Sequence, residues 1–142
     1  MKIGLLILGV ALLVAGCGKP KTLVGNWSTE FPLLSGAQIE FSPDQRAVLS
    51  GTASGIDAQV DIVGTYTSTE KELSLSATKV NFKGDIPAIA RIFADQEAAK
   101  IEGKTVVGKL DWKSDDEVTF TPNTDDPKNP LSQTLVLKRV KP

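Results

Sequence analysis

From Leu23 onward, apolar residues recur mainly at every second position, the period that sends alternate side chains to opposite faces of a β-strand. Ile39 and Phe41 alternate with Gln38 and Glu40. Val60, Ile62, Gly64 and Tyr66 alternate with Gln59, Asp61, Val63 and Thr65. Leu73, Leu75 and Ala77 alternate with Glu72, Ser74 and Ser76. Val80 and Phe82 continue in the opposite phase, so a β-bulge is expected near Thr78-Lys79. Val106, Gly108, Leu110 and Trp112 form another inward row, Val118 and Phe120 another, and Leu135 and Leu137 mark a last strand.

Three polar stretches join pairs of these runs: Ser42-Pro43-Asp44-Gln45, Ser68-Thr69-Glu70-Lys71 and Lys113-Ser114-Asp115-Asp116. Asp, Ser and Pro suit turn geometry, so each is read as a hairpin turn. One segment has a different period. Residues from about 86 to 102 read as an amphipathic helix, with Asp85 as N-cap, Pro87 in the first turn and Gly103 ending it. Ile86, Ile89, Phe93 and Ile101, with small Ala90, can share one face. Such a helix either covers an open end or face of the sheet, or forms a lid over a cavity; the first is the plainer reading. Thr121 to Pro130 holds three prolines and no large apolar residue, and reads as a surface loop. The fold expected is mainly β: a small antiparallel meander or barrel with one mid-chain helix, forming a single β-rich domain over 23–142.

Composition then narrows the chemistry. The chain has 142 residues, 41% apolar and 23% charged, with a net charge of −1. This is globular composition, without the basic excess of a nucleic-acid binder. It contains no histidine, which excludes His-based triads, His general bases and His-ligated zinc; its single cysteine excludes an internal disulfide. Two carboxylates could still run glycoside hydrolysis. Glu40, Asp57, Asp61 and Asp111, however, alternate with the apolar rows, as solvent-facing residues do. Asn123, Asp125, Asp126 and Asn129 offer oxygens in the polar loop, but without the glycine and distal Glu of an EF-hand. The reading is therefore of a protein without catalytic activity, metal or cofactor.

The N-terminus carries an address. Lys2 precedes an unbroken run of apolar residues and glycine from Ile3 to Ala15, shorter than the roughly 20 residues of a bilayer-spanning helix. The run ends Leu13-Val14-Ala15-Gly16-Cys17, which resembles the lipobox of bacterial lipoproteins. That resemblance implies a signal peptide over 1–16 and cleavage before Cys17. It implies palmitate-type acyl chains on Cys17, and 17–22 as the acylated Cys and a short tether. Each buried CH₂ contributes about 0.8 kcal/mol, so two or three chains hold a protein on its membrane. Gly18 stands where an Asp would signal inner-membrane retention. The implied location is thus the cell envelope, and the outer membrane in a two-membrane host.

Gly25-Asn26-Trp27 resembles the Gly-x-Trp that opens the first strand of lipocalins and of lipocalin-like domains in bacterial lipoproteins. In lipocalins that Trp closes the barrel base and stacks on an Arg of the last strand, which implies a stacking pair of Trp27 with Arg139. The resemblance also implies a lipocalin-like barrel and, within it, a ligand cavity lined by Val60, Ile62, Leu73, Leu75, Leu110 and Phe120. Gly64, Gly108 and Ala77 among the inward rows either make room for a ligand or permit tight strand bending. Two functions follow. One is a structural or protein-interaction module of the envelope, and the sequence favours it. The other is a lipocalin-like binder of a small apolar ligand. The partners implied are the membrane, through Cys17, and either an envelope protein or that ligand, with no nucleic acid.

Overall fold

The computed structural model describes residues 21–141. Cys17 and the signal segment lie outside the described residues. Eight strands form a closed antiparallel barrel in simple chain order. They are β1 (Gly25–Ser28), β2 (Leu34–Phe41), β3 (Arg46–Ala53), β4 (Ala58–Ser68), β5 (Glu72–Lys83), β6 (Thr105–Ser114), β7 (Glu117–Pro122) and β8 (Leu135–Arg139). One helix, α1 (Ala88–Ile101), lies between β5 and β6. The ring closes where β8 pairs with β1, through Trp27 opposite Arg139 and Ser28 opposite Lys138. Among the described residues, this is the small antiparallel barrel with one helix that the alternation predicts, and it is lipocalin-like as the Gly25-Asn26-Trp27 resemblance implies.

The strand period explains the core. Along β4 the buried residues are Ala58, Val60, Ile62, Gly64 and Tyr66, with Gln59, Thr65 and Thr67 exposed between them. The register of β5 steps from Ala77 to Lys79 while β4 steps from Gly64 to Val63, so Thr78 is the extra residue of a bulge. The bulge flips the phase and returns Val80 to the interior. Gly64 and Gly108 are needed for close approach. A Cβ on Gly64 would collide with the Ser76 carbonyl, and one on Gly108 with the Phe120 ring and the Thr121 carbonyl. Both glycines thus permit close strand approach, and Gly64 also borders a small void in the barrel centre.

Strand lengths give the barrel two unlike ends. At the base lie the turns after β2, β4 and β6. At the mouth, β5 runs on past β6: it pairs with β4 as far as Lys83, but with β6 only from Glu72 to Ser76. Beyond Ser76 the low wall of the barrel is completed by α1 and by the loop after β7. That loop is not wholly superficial. β7 continues through Thr121 and Pro122, and Leu131, just past the polar stretch, is buried in the core.

The helix differs from its expected form in extent, cap and facing. It starts at Ala88, Pro87 is the N-cap residue, and no side chain caps it; Asp85 is exposed outside it. Its buried residues are Ala94, Ala98 and Ile101, whereas Ile89, Ile92 and Phe93 are 73%, 59% and 63% exposed. The cause sits at the C-terminal end. Glu102 Oε2 accepts from the Val80 amide at 2.9 Å. The Gly103 amide donates to the Ala77 carbonyl, and the Ala77 amide to the Lys104 carbonyl, both at 2.9 Å. These bonds to the unpaired part of β5 fix the rotation of α1 about its axis. At 3.6 residues per turn its apolar stripe, from Ile89 and Phe93 round to Ala98, is roughly 180° wide. The barrel touches only one edge of that stripe.

Candidate functional site

The base is filled. Trp27 is completely buried, and its Nε1 donates to the Leu23 carbonyl at 2.7 Å. Arg139 lies over it, with Cζ 4.2 Å from the ring centroid, so the expected partners are in cation–π contact. The same guanidinium donates from Nη1 to the Val24 carbonyl at 2.9 Å and from Nη2 to the Thr22 carbonyl at 3.1 Å. Its Nε lies 3.3 Å from Asp116 Oδ1. Gly25 makes this possible, since a Cβ there would meet Arg139 Nη1 at 2.8 Å. Trp112 packs edge-on against Trp27 at 6.0 Å and donates to the Glu70 carbonyl. Tyr66 meets Phe41 edge-on at 4.8 Å, and its hydroxyl donates to the Ser42 carbonyl. Burial and the nearby Asp44 carboxylate push the Tyr66 phenol up from its ordinary value.

The mouth is not filled. A cavity of about 200 Å³ lies between α1 and the tall wall of the barrel. Val60 and Ile62 of β4 and Val80 and Phe82 of β5 form its wall. Ala94, Ala98 and Ile101 form its roof, and Phe31, Leu34 and Ile56 its rim. Leu33 and Phe93 line it too, although they are 47% and 63% exposed, so the cavity opens to solvent between them. Only Ser54 and Glu97 contribute polar side chains, and the Glu97 carboxylate is paired with Lys100 at 2.9 Å. Below it, toward the barrel centre, a void of about 40 Å³ is lined by Ile62, Leu75 and Leu131 among others; Phe31 and Ile62 border both spaces.

The six residues expected to line a cavity therefore divide. Val60 and Ile62 line the mouth cavity, and Ile62 and Leu75 the smaller void. Leu73, Leu110 and Phe120 line neither space. They belong to the packed half of the core, with Leu73 1%, Leu110 8% and Phe120 0% exposed. The reason is the uneven strand ends: these three face inward level with the base aromatics, where the ring is complete. The lining residues that the sequence reading missed are Val80 and Phe82 of the wall and those of the helix and the rim. Ala94 and Ala98 carried no signal beyond helix propensity, and Phe31 and Leu33 lie outside any alternating run.

The carboxylates weighed for glycoside chemistry do not converge. Glu40, Asp57 and Asp111 are exposed, and Asp61 pairs with Lys83 at 2.9 Å on the outer face. That ammonium holds the Asp61 carboxyl below its ordinary value, against the opposite pull of partial burial. Among the described residues, no group of three or more His, Cys, Asp or Glu side chains is arranged to hold a metal ion. Nor is any helix there long and apolar enough to cross a membrane. The chain matches no protein-family model and no curated protein. Among the described residues, the barrel mouth presents an apolar recess with α1 on one side and an opening on the other.

Proposed function

We propose that this protein is a non-catalytic lipoprotein of the cell envelope, anchored through acyl chains on Cys17, whose barrel mouth binds a small apolar ligand. One observation carries the ligand reading: the apolar cavity of about 200 Å³ under α1. An apolar cavity of about 150 Å³ in another protein stays dry and takes up benzene, so this volume suits one ring or a short alkyl segment. The uncovered apolar edge of α1 supports it. Phe93 looks onto a space with no protein partner, and a bound hydrocarbon would bury it at roughly 25 cal/mol per Å². A pair of polar side chains, one already engaged with Lys100, gives the cavity no nucleophile with a base beside it. The anchor rests on the Lys2-to-Cys17 segment alone.

The test is native mass spectrometry of the soluble 18–142 chain after incubation with a lipid extract of the envelope. A discrete added mass, lost on partial unfolding, is the expected result. A bare chain sinks the ligand reading. The protein-interaction reading rests on a different observation: Ile89 and Ile92 point away from both barrel and cavity and are 73% and 59% exposed. A protein partner retained by the natively extracted lipoprotein, with the 18–142 chain bare, would put that reading in front.

A further inference from the structure

The chain enters the barrel at its base. The Lys21 amide donates to Glu70 Oε1, beside the β4–β5 turn, at 3.1 Å, and Arg139 holds the Thr22 carbonyl. The cavity lies at the other end, lined by Val60 and Phe82 near the far ends of β4 and β5. β4 has 11 residues. At about 3.3 Å per step and a tilt of about 40°, they separate base from mouth by roughly 25 Å. Four peptide steps join Cys17 to Lys21, at most about 14 Å of fully extended chain. The leash is shorter than the barrel is tall. For the mouth to face flat onto the bilayer that holds Cys17, the base would have to stand roughly 25 Å above it. The chain cannot reach that far.

We propose that the barrel stands base-down on its membrane, so that the mouth exchanges its ligand on the side away from the anchoring bilayer. The apolar ligand arrives from a donor across the aqueous space, and does not pass directly from the bilayer in which the acyl chains sit. Leu33 and Phe93, exposed at the opening, are the first residues it meets. This rests on the reading of an anchored ligand binder, and adds to it the direction of traffic.

The experiment uses the mature lipoprotein, extracted with its acyl chains and reconstituted in phosphatidylethanolamine–phosphatidylglycerol vesicles that carry a headgroup quencher. Acylation consumes the Cys17 thiol, so a single introduced cysteine takes a fluorophore uniquely. One label goes on the lid as Ile92→Cys, the other on the base hairpin as Lys113→Cys; both positions are exposed. The expected result is severalfold stronger quenching at position 113 than at 92. Equal or stronger quenching at 92 overturns the orientation, and extracted protein that does not float with the vesicles removes the anchor beneath it. Binding of N-phenyl-1-naphthylamine to the soluble 18–142 chain is measured in parallel. Absence of binding there overturns the exchange route through the ligand reading alone, whatever the quenching shows, so the two failures are told apart.

Discussion

Trp27 at the base and Phe93 at the mouth are both large aromatic residues, and they have opposite fates. Trp27 is 0% exposed and Phe93 is 63% exposed. At the base each ring with a polar atom hands it to a backbone carbonyl: Trp27 to Leu23, Trp112 to Glu70, Tyr66 to Ser42. The most deeply buried large side chains, among them Phe41, Leu73, Val118 and Leu137, gather in the same half. At the mouth the buried helix residues are two alanines and an isoleucine, and the large apolar groups stand round an empty space. A barrel whose base supplies its stability can leave its other end under-packed, and an under-packed end is where binding sites are found.

The comparison is broken most directly by truncating both aromatics. Trp27→Ala leaves a cavity in a closed core and strips Arg139 of its stacking surface. It should cost about 3–5 kcal/mol, read as a fall in the denaturant midpoint at unchanged slope. Phe93→Ala should cost no more than about 0.5 kcal/mol in the ligand-free chain, as for an exposed position. Comparable losses would mean that the mouth is as tightly built as the base. Next in size is Arg139→Ala. It removes a cation–π contact and the donors to the Thr22 and Val24 carbonyls, and should cost about 1–2 kcal/mol. The double variant with Trp27→Ala should lose less than the sum, because the two residues share one interaction.

Function sharpens the contrast further. Val60 lines the mouth cavity and lies opposite Gly51 on β3, so a larger side chain there has the cavity to grow into. Val60→Phe should reduce binding of N-phenyl-1-naphthylamine to the 18–142 chain by about tenfold or more. Its stability should shift by less than about 1.5 kcal/mol, since volume added to a void does not overpack the core. Unchanged binding would place the ligand elsewhere.

Why one end could be read from the sequence and the other could not follows from the same contrast. The alternation along 59–66 and 72–77, the phase change at Thr78, and Gly25, Trp27 and Arg139 are local signals, and each has a counterpart in the barrel and its base. β3 was not legible. Ala47-Val48-Leu49 is a continuous small apolar run that hides its period, although Ala47 and Leu49 are buried. The mouth was legible only in part, because its shape depends on where β6 stops pairing with β5. Period alone does not encode that stopping point. The facing of α1 was misjudged for a related reason. Its amphipathic pattern supports burial of Ile89 and Phe93, and tertiary hydrogen bonds from Glu102 and Gly103 turn them outward.

The smallest effect tests whether the outer wall near the mouth is locked by charge as the base is by Arg139. Asp61 Oδ2 lies 2.9 Å from Lys83 Nζ, and the Lys83 side chain is 65% exposed. The hydrogen bond from Lys83 lowers the Asp61 pKa below 3.8, so the pair stabilises the fold above that pH. The contribution is lost as pH falls through the lowered folded value, where the carboxyl takes up its proton. Solvent and salt screen so open a pair, so Asp61→Asn should cost only a few tenths of a kcal/mol at neutral pH. The variant and the natural chain should converge as pH falls through that lowered value, and the gap at neutral pH should shrink in high salt. A loss at neutral pH as large as that of Arg139→Ala, insensitive to salt, would make the mouth wall a second locked element. The division of labour between the two ends would then have to be abandoned.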